Sequence, residues 1–204
     1  MDLLVLNPVT GKTTGLDKTV RQVLRAMTRS RVPYCVIGAT ALAARGFPRM
    51  TRVLDLTVRL HDREKAVAVL RSEGLRPATP IEADGDPEPM VVFVDPASRV
   101  EVDLLIAAGD PEWTVIGEAT RSKVFGASAP VASLEHLLIL YLYSNQPRHW
   151  GDFATIVQSG KADLKAAERQ LRGMHAEMLP GFRRRVREAQ APPAPPKRPP
   201  RRAR

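Results

Sequence analysis

Residues 34–58 read YCVIGATALAARGFPRMTRVLDLTV, and this stretch decides the fold of the chain. It begins with the continuous apolar run Tyr34–Ile37, which is typical of a strand covered on both faces. Gly38 follows and opens a short helix. The next segment, Val53–Leu60, alternates in polarity as a half-buried strand does, and it carries Asp55 on its more polar side. The stretch therefore predicts a strand, a glycine turn, a helix and a second strand.

Segments on both sides of this stretch complete an α/β (α+β) domain. Apolar residues recur at helical spacing over 17–30 and 62–72, and two strands, 90–95 and 99–106, are joined by a tight turn. The chain over 109–129 shows no clear period, and we interpret it as a loop with short strands. Further helices are predicted to begin at Ser133 and to cover 148–158, 163–174 and 175–190. We expect a mixed β-sheet with flanking helices, followed by a C-terminal helical region.

The composition predicts four regions of different character. Residues 1–15 form an extended lead-in, 16–132 the α/β core, 133–190 the helical region, and 191–204 a disordered tail rich in Pro and Arg.

The formal net charge of the chain is +9, and it is concentrated at one end. Residues 183–204 hold nine Lys and Arg against one Glu, a net charge of +8, which leaves +1 for residues 1–182. Such a segment attracts RNA or DNA without sequence preference, whereas the other interpretation is a solubilising extension. The nearly neutral remainder does not by itself indicate nucleic-acid binding.

Cysteine content and hydropathy limit the cellular compartments in which we expect the protein. Cys35 is the only cysteine, so an intrachain disulfide is excluded, and its apolar surroundings predict a buried side chain. No apolar stretch approaches the roughly 20 residues that span a bilayer, and the apolar start of the chain is too short for a signal peptide. We expect a cytoplasmic protein with no membrane partner.

Gly38, Asp55 and Asp103 form a pattern that suits chemistry on phosphates. A glycine between a strand and a helix allows backbone N–H groups to approach a phosphate closely. Carboxylates on neighbouring strands can hold Mg²⁺ beside that phosphate, and Mg²⁺ neutralises charge on a leaving pyrophosphate. Glu101 and Asp103, two residues apart on a strand, share one face.

With these motifs in this order, the chain resembles the nucleotidyltransferase-like superfamily. It is most similar to small AbiEii-type and MNT-like bacterial proteins, which include toxins of toxin–antitoxin pairs. Their pattern is a strand, Gly-Gly or Gly-Ser opening a helix, an Arg-x-Thr-x-Asp-x-Asp strand, a third Asp on a later strand and a Ser-x-Glu-Asp-Leu helix. The resemblance covers roughly residues 17–175. It implies a mixed sheet, an NTP substrate, Mg²⁺, and transfer of a nucleoside monophosphate to an RNA or protein acceptor.

The resemblance also implies roles for individual residues. Asp55 and Asp103 take the catalytic and metal-binding positions, and Glu101 is a further candidate ligand of the metal. The positions that contact phosphate or nucleotide are Gly38, Ala39, Thr40, Arg49 and Thr51. Three later positions of the family pattern fall on Tyr141, His149 and Asp152.

Several functional positions depart from the family pattern. Val53 stands where the first metal-binding Asp belongs, and valine cannot ligate a metal. In a shifted alignment, Asp55 takes the place of the first acid and Thr57 that of the second. The site then still lacks one metal-binding carboxylate. The other departures are Ala39, Tyr141, Gln146 and His149.

Two functions therefore remain open. In one, the protein is a pseudoenzyme that binds a nucleotide, a nucleic acid or a cognate protein partner, with weakened or lost transfer. In the other, it is an active Mg²⁺-dependent nucleotidyltransferase.

Overall fold

The computed structural model describes residues 15–47, 51–81, 89–144 and 146–191. Within these ranges the chain forms a mixed sheet of seven strands with helices packed against it. The strands are β1 (Tyr34–Val36), β2 (Val53–Arg59), β3 (Arg76–Pro77), β4 (Met90–Val94), β5 (Glu101–Ala107), β6 (Thr120–Val124) and β7 (Ala127–Val131). The helices are α1 (Gly15–Arg29), α2 (Gly38–Ala44), α3 (Arg63–Ser72), α4 (Glu112–Gly117), α5 (Leu134–Tyr143), α6 (Pro147–Ser159), α7 (Leu164–His175) and α8 (Leu179–Gln190).

The strand order in the sheet is β3-β4-β5-β2-β1-β7-β6. β2 pairs with β5, and β1 with β7, in parallel, while the other neighbouring strands are antiparallel. Helices α5 to α8 follow the last strand along the chain. The predicted fold class, a mixed α/β sheet followed by a helical region, is confirmed.

The core forms because each element presents one apolar face. On α1, the residues Val20, Val23, Leu24 and Met27 are fully buried, as the helical spacing of apolar residues predicted. Burying a side chain of this size contributes roughly 1.5–3 kcal/mol relative to leaving it exposed. The continuous apolar run of β1 is buried throughout, which places this strand in the interior of the sheet.

Arg45 fixes the far end of α2 against the neighbouring hairpin. Its Nε donates to the backbone oxygen of Ala132 at 2.8 Å, and its second terminal nitrogen donates to that of Val131 at 2.6 Å. Because charged donors make the stronger hydrogen bonds, these contacts hold α2, and hence the β1–α2 turn, in place.

The segment 109–129 is more regular than the sequence indicates. It contains helix α4 and the β6–β7 hairpin, where we expected a loop with short strands. Helix α4 is too short to show a hydrophobic period. The hairpin turns at Phe125 and Gly126, both with positive φ. Its first strand, β6, is mostly polar and shows no clear alternation.

Other differences from the sequence-based boundaries are small. The last helix is preceded by a 3₁₀ turn, Ala176–Met178, and begins at Leu179. Of the predicted lead-in 1–15 and tail 191–204, only Gly15 and Ala191 lie inside the described residues. Among the helices that the structure describes, none combines the length and apolar character needed to span a membrane.

Candidate functional site

A cleft of about 290 Å³ lies beside the β1–α2 turn. The turn and the sheet contribute Ile37, Gly38, Asp55, Leu56, Asp103 and Leu105 to its lining. The end of α5 and the start of α6, here called the α5–α6 corner, contribute Tyr141, Tyr143, Ser144, Gln146, Arg148 and His149. Met90, Glu112 and Leu140 complete the lining. The cleft thus gathers residues that are far apart in the sequence.

Gly38 is required at the first residue of α2 for two independent reasons. Its φ is +61°, in the left-handed region that side chains with a Cβ avoid. In addition, a Cβ at this position would lie only 2.6 Å from Cγ of Asp55. The backbone N–H of Ile37 donates to the backbone oxygen of Asp55 at 3.0 Å. The turn therefore packs directly against the carboxylate of Asp55.

Asp55 and Asp103 are brought together by the register of two parallel strands. They are direct partners in the β2–β5 pair, so their side chains leave the same face of the sheet, on strands about 4.8 Å apart. Both are half-buried and line the cleft. Sequence reasoning named both residues, but their pairing follows only from the register.

On the same face of the sheet, the next register pair toward the start of both strands is Val53 with Glu101. The backbone of Val53 is held by Thr51, whose hydroxyl accepts from Val53 N at 3.0 Å and lies 3.2 Å from Val53 O. Glu101 is exposed. An acid at position 53 would lie on the face of Asp55, and the valine there offers no ligand atom.

The predicted phosphate contacts occupy different places. Ala39 and Thr40 are buried in the first turn of α2, with 2% and 3% of their surface exposed. The hydroxyl of Thr40 donates to the backbone oxygen of Val53 at 3.4 Å, so this side chain and that of Thr51 bond within the protein. Arg49 lies outside the described residues. A role in phosphate binding remains a prediction for all of these positions.

The α5–α6 corner is built around a stacked pair of rings. The Tyr141 and His149 ring centroids are 4.7 Å apart, with 26° between the planes. His149 Nδ1 lies 2.6 Å from the hydroxyl of Ser144, which also accepts from the backbone N–H of Gln146. These contacts fix the turn between the two helices. Asp152, the third residue predicted here, is buried on α6 and is not part of the lining.

Glu112 is the acidic residue of the cleft that sequence reasoning missed. It stands in the first turn of α4, inside the segment interpreted as a loop, and no motif marks it. Burial raises its pKa above the ordinary value, and the charge of Asp110 acts in the same direction.

Burial also raises the pKa of Asp103, and the nearby charge of Glu101 adds to this effect. The guanidinium of Arg148 acts in the opposite direction. The lining therefore contains three carboxylic acids, Asp55, Asp103 and Glu112, and the fixed positive charge of Arg148. This balance disfavours several phosphate groups in the cleft unless cations accompany them.

The described residues do not fit a two-metal centre. Within the described ranges, no group of three or more His, Cys, Asp and Glu side chains is arranged to hold a metal ion. The physical reason lies on β2. Its alternation puts Val53 on the same face as Asp55, beside the Asp55–Asp103 pair, and valine offers no oxygen to a metal ion.

No protein-family model matches the sequence, and no curated protein matches it significantly. Comparison with solved structures does detect similar folds. The solution structure of the antibiotic-resistance factor ANT(2'')-Ia has a TM-score of 0.56 at 17% identity, over 85% of this chain and 94% of that one. The crystal structure of ANT(2'')-Ia with adenylyl-2''-tobramycin gives 0.54 at 18% identity, over 87% and 100%.

The structure of a further adenylyltransferase is also similar. The lincosamide antibiotic adenylyltransferase LnuA, bound to lincomycin, has a TM-score of 0.50 at 12% identity, over 71% of this chain and 98% of that one. At such low identity these similarities establish the fold alone. Together with the strand order and the glycine turn, they show that the chain has the nucleotidyltransferase fold.

Proposed function

We propose that the protein binds a nucleotide in this cleft and does not carry out two-metal nucleotidyl transfer. The observation that carries the proposal is Val53, which faces Glu101 beside the Asp55–Asp103 pair. Transfer of a nucleotidyl group needs metal ions that neutralise charge on the pyrophosphate as it leaves. Two carboxylates and a valine supply too few ligands for a pair of such ions.

The cleft offers contacts for the nucleoside part of a nucleotide. The exposed ring of Tyr143 and the half-buried ring of His149, which is stacked on the buried Tyr141, line the cleft. Stacking of a base on an aromatic side chain contributes about 1–3 kcal/mol. Arg148 provides a guanidinium that suits a single phosphate. The three carboxylic acids oppose further phosphates. These features support a nucleoside monophosphate over a triphosphate as the metal-free ligand.

The binding test is calorimetric titration of adenosine, AMP and ATP, and of the corresponding guanine compounds, in EDTA. We expect AMP or GMP to bind more tightly than the triphosphate of the same base. His149→Ala should weaken binding, whereas His61→Ala, at an exposed histidine outside the lining, should leave it unchanged. Absence of binding by every compound, or equal affinity in both variants, would overturn the proposal.

An active, Mg²⁺-dependent nucleotidyltransferase of the toxin–antitoxin kind is the alternative. The pairing of Asp55 with Asp103 across β2 and β5 favours it, because these are two of the three acids that such an enzyme uses. The test is incubation of α-labelled NTPs and Mg²⁺ with tRNA or protein acceptors. We expect no more labelled product from the wild type than from Asp55→Ala. Labelling that disappears in Asp55→Ala would replace our proposal by this alternative.

A contribution of residues 183–204 to RNA or DNA binding is a separate prediction. On α8, Arg185 is buried, and Arg183 forms a salt bridge with Glu168 at 2.6 Å. These two arginines have partners within the folded protein and are therefore less available to phosphates than arginines without such partners. Removal of residues 192–204 should reduce both RNA affinity and its salt dependence. Unchanged affinity after this truncation would contradict the prediction.

A further inference from the structure

Arg185 is the buried cation of α8. Only 9% of its surface is exposed, although Arg183, Arg184 and Arg187 on the same helix are exposed. Burial lowers the pKa of Arg185, but a guanidinium remains protonated at physiological pH. Burying such a charge is unfavourable unless hydrogen bonds and a polarisable surface compensate. The partners of Arg185 therefore indicate what it stabilises.

Those partners lie on the two helices that form the α5–α6 corner. A terminal nitrogen of Arg185 donates to the backbone oxygen of Tyr141 at 2.8 Å. The last carbonyls of a helix lack partners within the helix and carry partial negative charge, so a cation there is favourable. The guanidinium also lies over the ring of Trp150 on α6, a cation–π contact.

These contacts are adjacent to the stacked rings of the cleft. Tyr141 gives its carbonyl to Arg185 and its ring to His149. His149 and Trp150 are consecutive on α6, so α5 and α6 are joined twice, once by the rings and once through Arg185. A change of angle between α5 and α6 would break both connections. It would also move Arg148, the residue whose charge acts on Asp103.

We propose that Arg185 is a positioning residue for the cleft: from α8 it holds the α5–α6 corner so that the Tyr141–His149 pair and Arg148 face the ligand. This inference rests on the proposed function, because it assigns a role in the binding site to a residue that does not line it. It also makes the last described helix part of the site. A purely structural arginine would affect stability without changing the folded cleft.

The test compares Arg185→Met, Arg185→Lys and Arg187→Met. Methionine keeps the apolar length of the side chain but removes the charge and the donors, whereas lysine keeps a charge and a donor. Arg187 is exposed on the same helix and serves as the matched control. The first measurement is the NMR titration of the His149 ring, assigned among the four histidines with His149→Ala. The second is the AMP affinity in EDTA.

For folded Arg185→Met we expect displaced His149 ring signals without ligand and AMP binding about tenfold weaker, equivalent to roughly 1.4 kcal/mol. Arg185→Lys should recover part of both effects, and Arg187→Met should match the wild type. Wild-type His149 signals in folded Arg185→Met would overturn the inference. If Arg185→Met does not fold, Arg185→Lys decides, since wild-type signals and affinity in that variant would equally refute a need for the guanidinium.

The two proposals fail in different ways. If the wild type binds no nucleotide, the proposed function fails, while the His149 signals still report whether Arg185 positions the corner. If AMP binds normally and the His149 signals are unchanged in both variants at Arg185, the positioning role fails and nucleotide binding stands.

Discussion

Replacement of Gly38 by alanine tests the packing on which the cleft depends. The added Cβ would lie 2.6 Å from Cγ and 3.0 Å from Cβ of Asp55. Both distances are below ordinary van der Waals contact, and the neighbouring atoms belong to a short side chain on a central strand. The substitution therefore forces either the turn or the carboxylate of Asp55 to move.

The expected loss of stability has two parts. A residue with a Cβ at φ = +61° is less stable there than glycine by about 1–2 kcal/mol. Overpacking of a well-packed site typically destabilises by a further 1–3 kcal/mol or so. Gly38→Ala should therefore lower the free energy of unfolding by about 2–5 kcal/mol, and the melting temperature by roughly 4–20 °C.

Gly160→Ala is the matched control for this prediction. Gly160 ends α6 with a φ of +67°, and nothing lies within 4 Å of a Cβ built there. It should show the conformational part alone, about 1–2 kcal/mol. Both variants are compared by urea unfolding followed by circular dichroism. A double variant with Asp55→Ala should recover part of the steric loss, because the carboxylate is then absent.

The reasoning is refuted if Gly38→Ala costs no more than Gly160→Ala. That result would mean that Asp55 does not pack against the turn. An equal loss of stability from Gly38→Ala in the wild type and in the Asp55→Ala variant would show in addition that the two positions are not coupled.

Three further predictions concern individual side chains. Val53→Asp should add a third carboxylate beside Asp55 and create Mn²⁺ binding, since carboxylate oxygens suit this ion. The binding should be detectable by paramagnetic relaxation and absent in Val53→Asn, and no gain in binding would contradict the proposed geometry. Burial raises the pKa of Asp103 above its ordinary value of 3.8, so the folded state favours the neutral carboxyl group. The contribution of Asp103 to stability is therefore fully present below pH 3.8 and is lost as the pH rises through the folded pKa. Asp103→Asn should therefore be more stable than the wild type at pH 7, with the difference vanishing below pH 3.8 in unfolding curves. Burial raises the pKa of Cys35 to about 12, so the thiol should resist iodoacetamide at pH 8 in the folded protein and react in urea.

Local patterns predicted most of the secondary structure. Ser133 was expected to cap α5, and its hydroxyl accepts from His136 N at 3.1 Å. The alternation of β2 correctly placed Asp55 opposite the apolar face, because a strand has a period of two residues. Such features depend only on residues a few positions apart, so the local sequence is enough to predict them.

Features set by contacts between distant segments were not predictable in this way. The position of Glu112 in the cleft was not predicted, since α4 is too short to show a hydrophobic period. Arg185 looked like one more basic residue near the tail, because nothing in a run of arginines distinguishes a buried one from its exposed neighbours.

The sequence by itself determined the α/β fold class, the glycine turn at Gly38 and the absence of an acid at Val53. These depend on backbone conformation and residue identity, which local rules can read. Only the tertiary structure decided that Asp55 faces Asp103 and that Arg185 supports the α5–α6 corner. Strand register and helix packing are fixed by the whole core at once, since each element finds its place only by burying its apolar face against the others.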